Sequence, residues 1–126
     1  MDEIRCTIGD IKKTKEGILI LTVTCVGEEI TEEQMVEAVS MIDLISETTL
    51  PLLVDISARH SASYGALTEM SKAKKVSSVA IYAPRSSSYH SASFIEKFQT
   101  QVGHSIYPFK SFADFDNAQR WLRSFL

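Results

Sequence analysis

Residues 50–67 read LPLLVDISARHSASYGAL, and the organisation of the chain follows from how this stretch divides. The apolar run Leu50–Val54 ends in Asp55, a Ser-bearing polar connection follows, and a new apolar pattern begins at Tyr64. A short, continuous apolar run bounded by turn residues reads as a buried strand, and the second pattern reads as a helix whose first turn is offered hydroxyls. In open α/β sheets, the loops leaving the carboxyl ends of strands are where ligands and partners meet the fold. This connection is therefore the first place to look for a site.

Working outward, each flank supplies more strands and helices. Glu3–Gly9 alternates, with Ile4, Cys6 and Ile8 on one side and Arg5 and Thr7 on the other, as a half-buried strand does. Lys12–Gly17 reads as a polar turn with Gly17 where a positive φ is wanted, and Ile18–Val26 as a second, β-branched strand antiparallel to the first. Thr31 and Gln34 have capping-box spacing, Glu32 and Glu33 suit the first turn of a helix, and Met35, Val39, Ile42 and Ile45 form its inward stripe. Pro51 bars that helix from continuing.

Beyond the central stretch, a helix over about Ser63–Lys74 presents Tyr64, Leu67 and Met70 inward. Val76–Ala83 is a strand stopped by Pro84, and the serines at 86–88 are placed to cap a third helix reaching about Val102, with Phe94, Ile95 and Phe98 facing in and Gly103 at its end. Ile106–Phe109 reads as a short strand. A capping-box-like start at Ser111–Asp114 opens a last helix, docked on the sheet by Trp121, Leu122 and Phe125 with Phe115 and Ala118. The order β-β-α-β-α-β-α-β-α predicts a mixed, mainly parallel five-stranded sheet with four helices, in one domain over residues 1–126.

Bulk properties narrow the function. A net charge of −3 argues against nucleic-acid binding, which needs a dense basic surface. The acidic start Met1-Asp2-Glu3 lacks the basic and apolar regions of a signal peptide, and no apolar run approaches the roughly 20 residues that span a bilayer. A cytoplasmic location is expected. Cys6 and Cys25 fit neither a zinc site nor a CxxC motif and read as small buried hydrophobes. His60, His90 and His104 show no metal-ligand spacing, so neither a metal nor a cofactor is expected, although His60 and His90 both fall beyond adjacent strand ends.

Asp55, Ser57 and His60 superficially suggest a hydrolase, but no GxSxG elbow accompanies them, and Asp55 reads better as a turn cap or a partner for Arg59. Arg85 with Ser86, Ser87 and Ser88 has the chemistry of an anion-binding corner at a helix start, though the stretch reads better as an ordinary N-cap with a surface turn. Aromatic residues crowd the C-terminal half and read mostly as core, while a surplus on the last two helices fits either a lipid-sized pocket or a dimer face.

The element order, the LLVDIS strand end followed by a Ser-bearing helix start, and the closing FADFDNAQRWL segment resemble the STAS domains of bacterial anti-sigma-factor antagonists and their STAS/SEC14-like (SpoIIAA-like) relatives. In the antagonists, a strand ending in Asp-x-Ser precedes an Asp-Ser-Ser/Thr-Gly stretch whose serine a partner kinase phosphorylates. Asp55-Ile56-Ser57 matches the first part; the second reads His60-Ser61-Ala62-Ser63-Tyr64-Gly65, without the Asp and with Gly displaced. The resemblance implies a non-catalytic regulatory or protein-interaction module. Its surface would comprise Asp55, Ser57, Arg59, His60, Ser61, Ser63, Tyr64 and Gly65, with Arg85–Ser88 beside them. The SEC14-like relatives imply an alternative, a carrier or sensor of an apolar or anionic small molecule. Either an unidentified protein partner or a ligand fits, and a homodimer is left open.

Overall fold

A computed structural model of the protein describes residues 3–24, 29–56, 62–102 and 107–126, with backbone only at 86–88, 91, 101 and 102. Six strands form one sheet in chain order: β1 (Glu3–Cys6), β2 (Gly9–Lys13), β3 (Leu19–Val23), β4 (Leu50–Asp55), β5 (Val76–Tyr82) and β6 (Phe109–Phe112). The first three are antiparallel neighbours, and β3 through β6 are parallel.

The sheet has one strand more than the five expected. The alternation from Glu3 to Gly9 hides a two-residue turn at Thr7–Ile8, with Cys6 paired opposite Gly9. Ile8 is fully buried within that turn, so the apolar period runs on through the reversal. Residues read as a polar turn, Lys12 and Lys13, belong to β2 instead. Gly9 is required there, because a Cβ would lie 1.9 Å from the carbonyl oxygen of Thr22 on β3. The true turn from β2 to β3 does use Gly17, at φ +92, and Thr14 Oγ1 accepts from the Ile18 N–H at 3.1 Å.

Four helices accompany the sheet: α1 (Glu32–Ile45), α2 (Tyr64–Ser71), α3 (Ser86–Lys97), which runs into a π-helical turn over Phe98–Val102, and α4 (Phe115–Arg123). Because β3 to β6 are laid down in sequence and βαβ crossovers are right-handed, α1, α2 and α3 all fall on one face. The main core lies beneath them, built from Leu21, Val54, Ile81 and Phe109 of the sheet with Met35, Ile42, Met70 and Ala92 of the helices. Alternation along the same strands sends Ile18, Leu53 and Ala80 to the opposite face, where Ala118 and Leu122 of α4 cover them.

The capping box of α1 is present, with Thr31 Oγ1 accepting from Gln34 N–H and the Gln34 side chain accepting from Thr31 N–H. Other boundaries move. The serines at 86–88 form the first turn of α3 rather than its cap, which is Arg85 and has no side-chain cap bond. The last strand is Phe109–Phe112, later than expected, so Ser111 lies within it and Asp114 caps α4 by accepting from Asp116 N–H at 2.8 Å. Ser111 is held instead by Glu96 of α3, whose Oε1 accepts from its backbone N–H at 2.5 Å and its hydroxyl at 3.0 Å. Phe125 lies beyond the end of α4 and is exposed, so Leu122 and Ala118 dock the helix, with Trp121 half-buried at the margin. Cys25, Gly103 and Ile106 lie outside the described residues, and Cys6 is half-buried with its thiol directed to the Gly9 carbonyl.

Candidate functional site

The connection after β4 places the start of α2 beside the start of α1. Ala62 forms a parallel bridge with Ile30, and the Ser63 N–H donates to the Ile30 carbonyl at 2.9 Å. One turn further on, Gly65 faces Glu32, and a Cβ at Gly65 would lie 3.1 Å from the Cβ of Glu32. The missing side chain lets the two helices touch at their first turns. Ser63 is the N-cap of α2, its hydroxyl accepting from the Ala66 N–H at 3.0 Å.

On its other side, α2 meets the π-turn that ends α3. A π-turn adds a residue to the helical repeat and so changes which side chains face inward. Phe98 and Gln99 are both buried here, and Gln99 Nε2 donates to the Leu67 carbonyl at 2.6 Å. Further along, the Tyr107 hydroxyl donates to the Met70 carbonyl, and burial pushes its pKa well above the ordinary tyrosine value. The Gln99 bond closes the space between α2 and the end of α3, and the Tyr107 bond holds the C-terminal end of α2 to the segment before β6. Toward the N-terminus of α2 the space opens.

The result is a groove of about 500 Å³. Ala62, Leu67, Ile95 and Phe98 form its apolar walls, Tyr64 and Phe94 its lips, and Glu29, Ser63 and His90 its polar groups. The sequence pattern put Tyr64 and Phe94 in the interior; they are 68% and 63% exposed. Helical spacing identifies the apolar face of each helix correctly, but that face looks into the groove as well as onto the sheet. Beneath it lies a wholly apolar void of about 30 Å³ that shares Ala62, Leu67 and Ile95 with the groove.

The residues nominated from sequence are distributed unevenly around this groove. Ser63 and Tyr64 line it, and Gly65 forms the contact between α1 and α2 behind it. Asp55, half-buried at the end of β4, is in register with Thr22 and Tyr82 and alternates to the face covered by α4, away from the groove. Arg85 stands exposed at the start of α3, and Ser86, Ser87 and Ser88 follow it in the helix. Ser57, Arg59, His60 and Ser61, together with His104, lie outside the described residues. Among the described residues, no cluster of three or more His, Cys, Asp and Glu side chains is arranged to hold a metal ion. Glu29 was not anticipated, because a lone carboxylate before a capping box carries no signal of its own. His90, Phe94 and Phe98 share a helix face at four-residue spacing, which in retrospect marks the groove wall.

The structure is similar to the crystal structure of an uncharacterised protein of the DUF3478 family from Shewanella loihica PV-4, described as having a SpoIIAA-like fold. The TM-score is 0.56 at 18% identity, and the match covers 89% of each chain. At that identity the likeness establishes the fold, in agreement with the resemblance read from the sequence. No curated protein matches the chain. The model of a domain of unknown function, DUF7793, matches residues 12–126, and the chain belongs to that family.

Proposed function

We propose that this protein is a non-catalytic binding module of SpoIIAA-like fold whose working surface is the groove between α2 and α3, where it takes up a small molecule held by apolar and aromatic contacts. One observation carries the reading: a cavity of about 500 Å³ with Tyr64 and Phe94 standing exposed at its mouth. Small-molecule sites typically enclose about 300–1,000 Å³, with apolar walls and a few polar groups that fix orientation. Glu29, Ser63 and His90 are the polar groups here.

A binding role fits these side chains better than catalysis. A serine nucleophile needs a base in contact with its O–H, and the role the geometry gives Ser63 is a structural one, its oxygen accepting from the Ala66 N–H as the N-cap of α2. Local charge weighs against phosphate-controlled interaction as the main role of this helix start. A phosphate on Ser63 would add negative charge to a groove lined by Glu29, with Glu32 nearby against Gly65.

The test is a titration with the neutral fluorescent probe N-phenyl-1-naphthylamine. Saturable enhancement is expected with the wild-type protein, weakened about tenfold or more in Tyr64→Ser/Phe94→Ser, corresponding to roughly 1.4 kcal/mol of lost contact. Both side chains are exposed, so this variant should keep its fold by circular dichroism. No enhancement in wild type, or equal affinity in the folded double variant, rejects the groove.

A further inference from the structure

Resting on that reading of the groove, we infer that its ligand is an organic cation, an ammonium group carrying alkyl substituents. Three aromatic rings border one cavity. Tyr64 and Phe98 have centroids 5.0 Å apart and planes at 87°, while Phe94 lies 6.5 Å from Phe98 and is tilted by 35°. Rings set in different planes around one space offer π faces from several directions, the arrangement that recognises quaternary ammonium groups. Phe98 is only 8% exposed and supplies the inner wall, whereas Tyr64 and Phe94 remain uncovered.

Charge points the same way. Glu29 lines the groove, and among the described residues no Lys or Arg does. The starts of α1 and α2 converge nearby, and helix N-termini favour anions, each with an effective charge of about +0.5. Here their caps are occupied by Thr31 and Ser63, and the side chains of Glu29, Glu32 and Glu33 stand at the same end. The carboxylates outweigh the dipoles, leaving the rim complementary to a cation. Leu67 and Ile95 give the alkyl substituents an apolar floor, and among the described wall residues an anion would find aromatic faces and the Glu29 carboxylate but no Lys or Arg.

The experiment compares choline with its neutral carbon isostere, 3,3-dimethylbutan-1-ol, by chemical-shift titration of the labelled protein. The two differ in charge and hardly in shape. Choline is expected to bind about tenfold or more tightly than the alcohol, as a partly desolvated cation–π site provides. Tyr64→Leu and Phe94→Leu keep the walls apolar while removing a π face. Each should cut the preference for choline severalfold and leave affinity for the alcohol within about twofold, and Glu29→Gln should lower it further. Equal affinities for the two probes in wild type, or an undiminished preference in both leucine variants, overturn the cation assignment and leave an apolar groove. Failure of choline to bind while N-phenyl-1-naphthylamine still does has the same meaning. If none of the three probes binds, the groove reading falls with it.

Discussion

Truncating Leu122 should destabilise the protein more than truncating Trp121, although Trp is much the larger residue. Leu122 is fully buried against Ile18, Leu53 and Ala80, while Trp121 sits half-buried at the edge of the same cluster between Phe112 and Phe125. Leu122→Ala removes three carbon groups worth about 0.8 kcal/mol each in transfer, and the neighbouring strands cannot collapse into the space, so a cavity cost adds to them. The expected loss is about 3–4 kcal/mol. With an unfolding entropy near 2.1 cal/mol/K per residue, this lowers the melting temperature by roughly 11–15 °C. Trp121→Ala loses only its buried half, about 1.5–2.5 kcal/mol. Urea unfolding followed by circular dichroism gives both values. Trp121, the one tryptophan, gives a separate fluorescence readout of α4 docking in the Leu122 variant. A loss below about 1 kcal/mol for Leu122→Ala, or a larger one for Trp121→Ala, would refute the docking of α4 through Ala118 and Leu122.

Two further outcomes test local structure and charge. Ser63→Ala should cost about 1 kcal/mol in urea unfolding by removing the α2 cap, while Ser63→Asp, an equally good cap, stays within about 0.5 kcal/mol; equal losses would show that the cap bond is not what matters at this position. Glu16 and Glu37 are both held below the ordinary carboxylate value of 4.5, Glu16 chiefly by its hydrogen bond with Arg123 and Glu37 by the Thr7 backbone N–H. A carboxyl whose folded-state pKa is depressed binds fewer protons than in the unfolded chain, so its contribution is present at neutral pH and fades as pH falls below 4.5 through the folded value. The melting temperature of Glu16→Gln/Glu37→Gln should therefore fall less steeply than that of wild type over that acidic range, and parallel curves would contradict it.

The alternation of strands and helices from Leu50 onward was legible because each element there has both a distinct apolar period and a punctuating residue, such as Pro51 or Pro84. The first hairpin was not. Its turn at Thr7–Ile8 carries none of the Asn-Gly or Asp-Gly chemistry that announces a two-residue reversal, and Ile8 extends the apolar period across it. The residue that makes the arrangement work, Gly9, is explained by a carbonyl of β3, a partner that sequence proximity does not reveal. The helix start at Ser63 was visible in outline, since a Ser before an apolar pattern is an N-cap signal. The groove was not, because periodicity specifies which residues share a face and leaves open whether a neighbouring helix covers it.

What leaves that face uncovered is the distribution of side-chain size along the helical layer. Between α1 and α2 the contact is made at Gly65, whose lack of a side chain lets α2 come against Glu32. Between α2 and α3 the corresponding positions hold Tyr64, Phe94 and Phe98, and α2 reaches its neighbour mainly through the π-turn. Rings of that size edge to face stand between the two helices at one end, while Gln99 of the π-turn ties α2 at the other by its bond to the Leu67 carbonyl. A core optimised only for stability would fill the wedge, since uncovered aromatic surface forgoes roughly 25 cal/mol for each Å² left in water. Here the wedge stays open with two aromatic residues at its mouth and a carboxylate on its rim, and the fold's cost in unburied surface is consistent with a site kept for a ligand.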